Sequence, residues 1–93
     1  MTEELAERIK RAAEVLKAAG AKEVYVFGSA ATGQMHEHSD VDLAVSGLPP
    51  EVFFDAMADA SDVLPRQLDL LDLDEGGRFV EYLKRKGRLH RVA

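Results

Sequence analysis

An apolar run, Val24-Tyr25-Val26-Phe27, ends in Gly28-Ser29, and a second run, Val41-Asp42-Leu43-Ala44-Val45, opens on Asp40-Val41-Asp42. Ten residues, Ala30 to Ser39, separate the serine from the first aspartate. No other feature constrains the fold as tightly. Each run has the length of a buried strand, and the small residues Ala30-Ala31-Thr32-Gly33 suit a tight turn onto a short helix. A strand that delivers a Gly-Ser turn onto a helix start can hold phosphate oxygens on backbone N–H groups. A strand carrying Asp at i and i+2 presents both carboxylates on one face, because its side chains alternate with a period of two. A phosphate cradle beside paired hard-oxygen ligands is what a divalent cation and a nucleoside triphosphate require.

The remaining pattern surrounds these two strands with helices. Leu5, Ile9, Ala12, Leu16 and Ala19 recur at helical steps, so residues 3–19 are expected to form an amphipathic helix. Thr2 suits its N-cap, Glu3 and Glu4 its positive start, and Gly20 its stop. Strands are expected over 22–27 and 40–46, with a helical turn over 29–33 and a polar loop over 34–39 between them. Gly47-Leu48-Pro49-Pro50 ends the second strand. Residues 50–62 read as a helix with Val52, Phe53, Ala56, Met57 and Ala60 on one side. Arg66 to Leu73 read as a third strand, and Gly76-Gly77 precedes a helix over 77–86 with Phe79, Val80 and Leu83 facing inward. Gly87 ends that helix, and residues 88–92 could add an edge strand. The expected architecture is one small α/β (α+β) domain over residues 1–93, a mixed sheet of three to four strands packed by helices.

Composition narrows the possible chemistry. The 93 residues are 46% apolar, enough for one core, and leave no length for a dedicated acceptor-binding domain. Without cysteine there is neither a disulfide nor a thiolate metal site. The formal net charge of −5 argues against stand-alone nucleic-acid binding. No apolar run approaches the roughly 20 residues of a membrane helix, and no signal-peptide core opens the chain, so a cytoplasmic protein is expected.

The third strand brings two more acids, Asp69 and Asp72, whose spacing of three puts them on opposite faces. Only one of them can join Asp40 and Asp42. With Gly28-Ser29-Ala30-Ala31-Thr32-Gly33, Ser39-Asp40-Val41-Asp42-Leu43, Leu68-Asp69-Leu70-Leu71-Asp72-Leu73 and the closing Lys86-Gly87-Arg88-Leu89, the chain resembles the minimal nucleotidyltransferases of the DNA polymerase β-type superfamily. The resemblance covers nearly the whole chain. It implies that Asp40, Asp42 and Asp69 hold two Mg²⁺ ions, for which Mn²⁺ can substitute, and that Gly28 and Ser29 position the phosphates of ATP. Asp69 would also help to deprotonate an acceptor hydroxyl. Minimal members often pair with a helical HEPN-domain protein in toxin–antitoxin modules, so the resemblance further implies an antitoxin that transfers AMP to a hydroxyl side chain of such a partner. In one respect the sequence departs from the pattern: an arginine common in that family after Gly-Ser is Thr32 here.

Two other functions fit parts of this pattern. A subunit that neutralises or scaffolds a HEPN partner without turnover is favoured by Thr32, which supplies no guanidinium. Transfer to a small molecule would call for a further substrate domain. His36 and His38 form a His-x-His that reads either as a solvated pair or as metal ligands. The basic stretch Lys84-Arg85-Lys86 with Arg88 and Arg91 reads as complementation of a helix C-terminus or as a partner patch. Tyr25 and Tyr82 are expected to pack.

Overall fold

The computed structural model describes residues 2–33 and 40–93. The expected 34–39 loop, with His36, His38 and Ser39, lies outside the described residues.

Helix α1, Glu3–Ala18, starts where expected: the Thr2 hydroxyl accepts the Leu5 amide at 3.1 Å, fixing the first turn. It stops at Gly20, whose N–H bonds the Lys17 carbonyl while the Ala21 N–H reaches Leu16. That reciprocal pair requires a left-handed residue at Gly20, where φ is +123°. Strand β1, Glu23–Phe27, leads through Gly28 into the short α2, Ser29–Thr32. Strand β2 is Val41–Ser46, one residue shorter than expected because Asp40 precedes the ladder. The expected 50–62 helix divides into a 3₁₀ turn, Pro50–Val52, and α3, Phe53–Asp62. Strand β3 is Leu68–Asp72, followed by a 3₁₀ turn at Leu73–Glu75, then α4, Arg78–Arg85, and β4, His90–Arg91.

The sheet has the order β3-β2-β1-β4. β1 runs antiparallel to both β2 and β4, whereas β2 and β3 run parallel. Strand alternation then sorts the residues between two faces. Val24, Val41, Leu43, Val45 and Leu68 pack with Leu5, Ile9 and Leu16 of α1 and Ala56 and Ala60 of α3 in the main core. On the opposite face, Phe27 and Ala44 pack with Leu73 and with Val80 and Leu83 of α4 in a smaller core. Because α4 covers only part of that face, one end of it stays open. No described helix is long and apolar enough to cross a membrane.

The expected inward set on α4 needs one correction. Val80 and Leu83 are buried, but Phe79 is 53% exposed. The three positions span an arc of about 100° on the helix, and only the side that carries Leu83 and Val80 meets the smaller core, which leaves Phe79 at its edge. Phe79 instead meets the ring of Phe27 edge-on, with centroids 5.9 Å apart. Tyr82, expected to pack, is 41% exposed.

Candidate active site

The open end of the sheet is where the sequence-marked residues gather. Register pairs Asp42 of β2 with Phe27 of β1 on one side and with Asp69 of β3 on the other. Directly paired residues on adjacent strands project from the same face, so Asp42 and Asp69 stand side by side. Of the two acids of β3, Asp69 is the one that stands beside Asp42. Asp72 pairs with Val45, on the α1 and α3 face, and its carboxylate accepts the Asp74 amide at 2.9 Å, capping the 3₁₀ turn.

Gly28 fits this arrangement for two reasons. Its backbone has φ +69° and ψ −148°, a region that side chains strongly disfavour. A Cβ at this position would also collide with the Asp42 carboxylate and lie 3.1 Å from its Cγ. The backbone therefore passes against the carboxylate, and only glycine permits that approach. After it, the Gly28 carbonyl accepts the amides of Ala31 at 3.1 Å and Thr32 at 3.3 Å, closing the turn of α2. The amides at Ser29 and Ala30 begin the helix and have no acceptor within it. Ala30 is buried and docks α2 on the main core.

Burial pushes the Asp42 carboxyl above its usual range, and the charges of Asp69 and Asp40 push it the same way. Asp42 and Asp69 thus gather like charge at one point of the sheet. Their oxygens are hard donors of the kind Mg²⁺ takes. Asp40, exposed and just ahead of β2, does not line the cavity described below. Among the described residues there is no ready-made cluster of three metal-ligating side chains; Asp42 and Asp69 stand in register, and Asp40 lies within electrostatic reach of Asp42.

A cavity of about 790 Å³ opens over these residues, within the range of small-ligand sites. Gly28, Ser29, Thr32, Asp42 and Asp69 form its polar wall. The Thr32 hydroxyl donates back to the Ser29 carbonyl at 3.3 Å, so this position brings no charge to the cavity. Phe27, Phe79, Tyr82 and Leu71 form an apolar wall, and Arg88 and His90 add cationic and imidazole groups. Sequence reasoning did not bring Phe79, Tyr82, Arg88 and His90 to this cavity. Their approach depends on how α4 crosses the sheet and on β4 pairing with β1, neither of which leaves a local signal. Arg88 was legible only as part of a basic stretch. Its backbone is fixed by the helix stop, where its N–H reaches the Leu83 carbonyl at 2.9 Å and Gly87 adopts φ +64°. Arg91, from the same stretch, is committed elsewhere by an ion pair with Glu23 at 3.1 Å.

The family described as "Polymerase beta, Nucleotidyltransferase" matches residues 5–89. This chain belongs to that family, which makes it a transferase by class. Its fold is similar to that of a candidate minimal nucleotidyltransferase, with a TM-score of 0.73 and 23% identity over 94% of this chain and 89% of the other. It is also similar to a chain of a toxin–antitoxin complex crystallised with AMP-PNP, with a TM-score of 0.71 and 22% identity over 95% of this chain and 72% of the other. A complex of tri-AMPylated Shewanella oneidensis HEPN toxin with MNT antitoxin gives a TM-score of 0.63 and 17% identity over 94% of this chain and 70% of the matched one. At these identities the likeness establishes the fold. No curated protein matches the chain significantly in sequence.

Proposed function

We propose that this protein is a minimal nucleotidyltransferase that moves AMP from ATP to a hydroxyl side chain of a HEPN-type toxin, and so acts as an antitoxin. One observation carries the reading: Asp42 stands in register with Asp69 and against the backbone of Gly28, where a Cβ would collide with it, in the lining of a cavity of about 790 Å³. Membership in the nucleotidyltransferase family supports the reaction class. The similar complexes with AMP-PNP and with an AMPylated HEPN toxin support the donor and the partner.

Asp40, Asp42 and Asp69 would hold two Mg²⁺ ions, replaceable by Mn²⁺, and these would neutralise the triphosphate and stabilise the attacking and leaving oxygens. Ser29 and the amides that open α2 receive the phosphate oxygens beyond the α-phosphorus. Asp69, on the outer strand of the acid pair, accepts the proton of the acceptor hydroxyl. The acceptor oxygen then bonds to the α-phosphorus as the bond to the bridging oxygen breaks, and pyrophosphate leaves. Arg88, at the rim of the same cavity, meets charge on the phosphates in place of the arginine missing at Thr32.

A second reading, a subunit that neutralises its partner without turnover, is favoured by Thr32, whose hydroxyl is spent on its own turn. Thermal unfolding with Mn²⁺ and ATP tests the site beneath both readings. A ligand that binds only the native state raises its stability. Wild type should gain stability from the two together, and the Asp40→Asn/Asp42→Asn double variant should fold and gain none. An equal gain in the double variant would remove these residues from the site.

A further inference from the structure

The cavity is lined by groups of two unlike kinds, and the acids and the phosphate-facing turn account for only one. The other includes Phe79 and Tyr82, three residues apart on α4 and so on one helical face, with Phe27 behind Phe79. At 53% and 41% exposure, these two aromatic side chains leave much of their surface in water. The helix does not need them for attachment, because Val80 and Leu83 already anchor it in the smaller core. Large exposed aromatics beside a polar site gain from a flat apolar ligand group that covers them.

We propose that Phe79 and Tyr82 form a stacking platform for the nucleobase of the donor nucleotide, which deepens the reading above and rests on it. A nucleoside triphosphate itself has two unlike halves, a polyanion and a flat ring, joined by a sugar. The cavity lining holds both kinds of group, the carboxylates with Ser29 and the aromatic rings. Stacking on a π-face tolerates any base and rewards ring area, so the platform favours purines over pyrimidines.

The test compares ATP with inorganic tripolyphosphate, each with Mn²⁺, by calorimetric titration of wild type, Phe79→Ala and Phe79→Trp. Base stacking on one aromatic ring changes affinity by about five- to 150-fold. Phe79→Ala should weaken ATP by a factor in that range and leave tripolyphosphate within about twofold, while Phe79→Trp should keep the wild-type affinity for ATP. UTP should bind wild type more weakly than ATP. Equal losses for ATP and tripolyphosphate in Phe79→Ala would show that the side chain merely supports the fold of the site. An unchanged ATP affinity in Phe79→Ala, or equal binding of UTP and ATP to wild type, would likewise overturn the platform. If wild type binds tripolyphosphate no more weakly than ATP, the platform falls while the phosphate site stands. If it binds neither, the nucleotide site falls with it.

Discussion

Replacing Gly28 by alanine probes the closest approach in the site, where backbone and carboxylate meet. Two costs are separable. The glycine lies at φ +69° and ψ −148°, where another residue loses about 1–3 kcal/mol. The added Cβ would also occupy the space of the Asp42 carboxylate, which must rotate away or push the turn aside, for about another 1–3 kcal/mol. Alanine recovers part of this by restricting the unfolded chain, about 0.4–1 kcal/mol. A net loss of about 2–4 kcal/mol is expected, which in a domain of this size lowers Tm by at least about 8 °C. Urea unfolding followed by far-UV circular dichroism suits the chain, which has no tryptophan. In an Asp42→Ala background the collision disappears and only the backbone cost remains. The same Gly28→Ala change should there be milder by about 1 kcal/mol or more, a coupling typical of residues in contact. Equal losses in the two backgrounds would refute the contact, and a Gly28→Ala loss under about 0.5 kcal/mol would refute the backbone argument as well.

Other residues give further tests. The Asp42 carboxyl is raised by burial and then by Asp69 and Asp40, so its contribution to stability is complete below the ordinary unfolded value, about 4, and is lost as pH rises through the raised folded value. Without metal, Asp42→Asn should therefore be more stable than wild type at pH 7 and lose less stability as pH rises from 4; a less stable variant would contradict this. Asp72→Ala should lose about 1 kcal/mol with its cap and leave nucleotide affinity unchanged in the same titrations, because Asp72 serves the turn and not the cavity. Arg88→Ala should weaken ATP and tripolyphosphate alike, as loss of a charge-assisted hydrogen bond of about 1.5–3 kcal/mol implies, and Thr32→Arg should restore part of that loss in the double variant. Unchanged binding by Arg88→Ala would leave the phosphates without this partner.

The strands and the first helix were legible because their signals are local. Apolar runs mark β1 and β2, and Thr2 and Gly20 bracket α1 with capping chemistry that the structure repeats bond for bond. The pairing of Asp42 with Asp69 was half legible. Alternation separates Asp69 from Asp72, but only the parallel register of β2 and β3 decides which one meets Asp42. Asp40 stands one residue ahead of the first pair of β2, so the register does not fix it as it fixes Asp42, whose carboxyl its charge reaches. The aromatic wall was not legible. Phe79, Val80 and Leu83 are all apolar, and their different fates are set by where α4 crosses a sheet built from distant segments. Arg88 and Arg91 look alike in a basic stretch, and only the pairing of β4 with β1 commits Arg91 to Glu23.

The central claim, a transfer reaction run by the acid pair, is tested most directly by mass analysis of a HEPN partner after incubation with this protein, Mg²⁺ and ATP. Wild type should add about 329 Da per modified hydroxyl, the mass left when pyrophosphate departs from ATP. Asp69→Asn should leave much of the ATP binding in place and collapse the transfer, since its role is to take the acceptor proton in the transition state. An unmodified partner that wild type nevertheless silences in stoichiometric complex, or an adduct formed equally well by Asp69→Asn, would contradict the account.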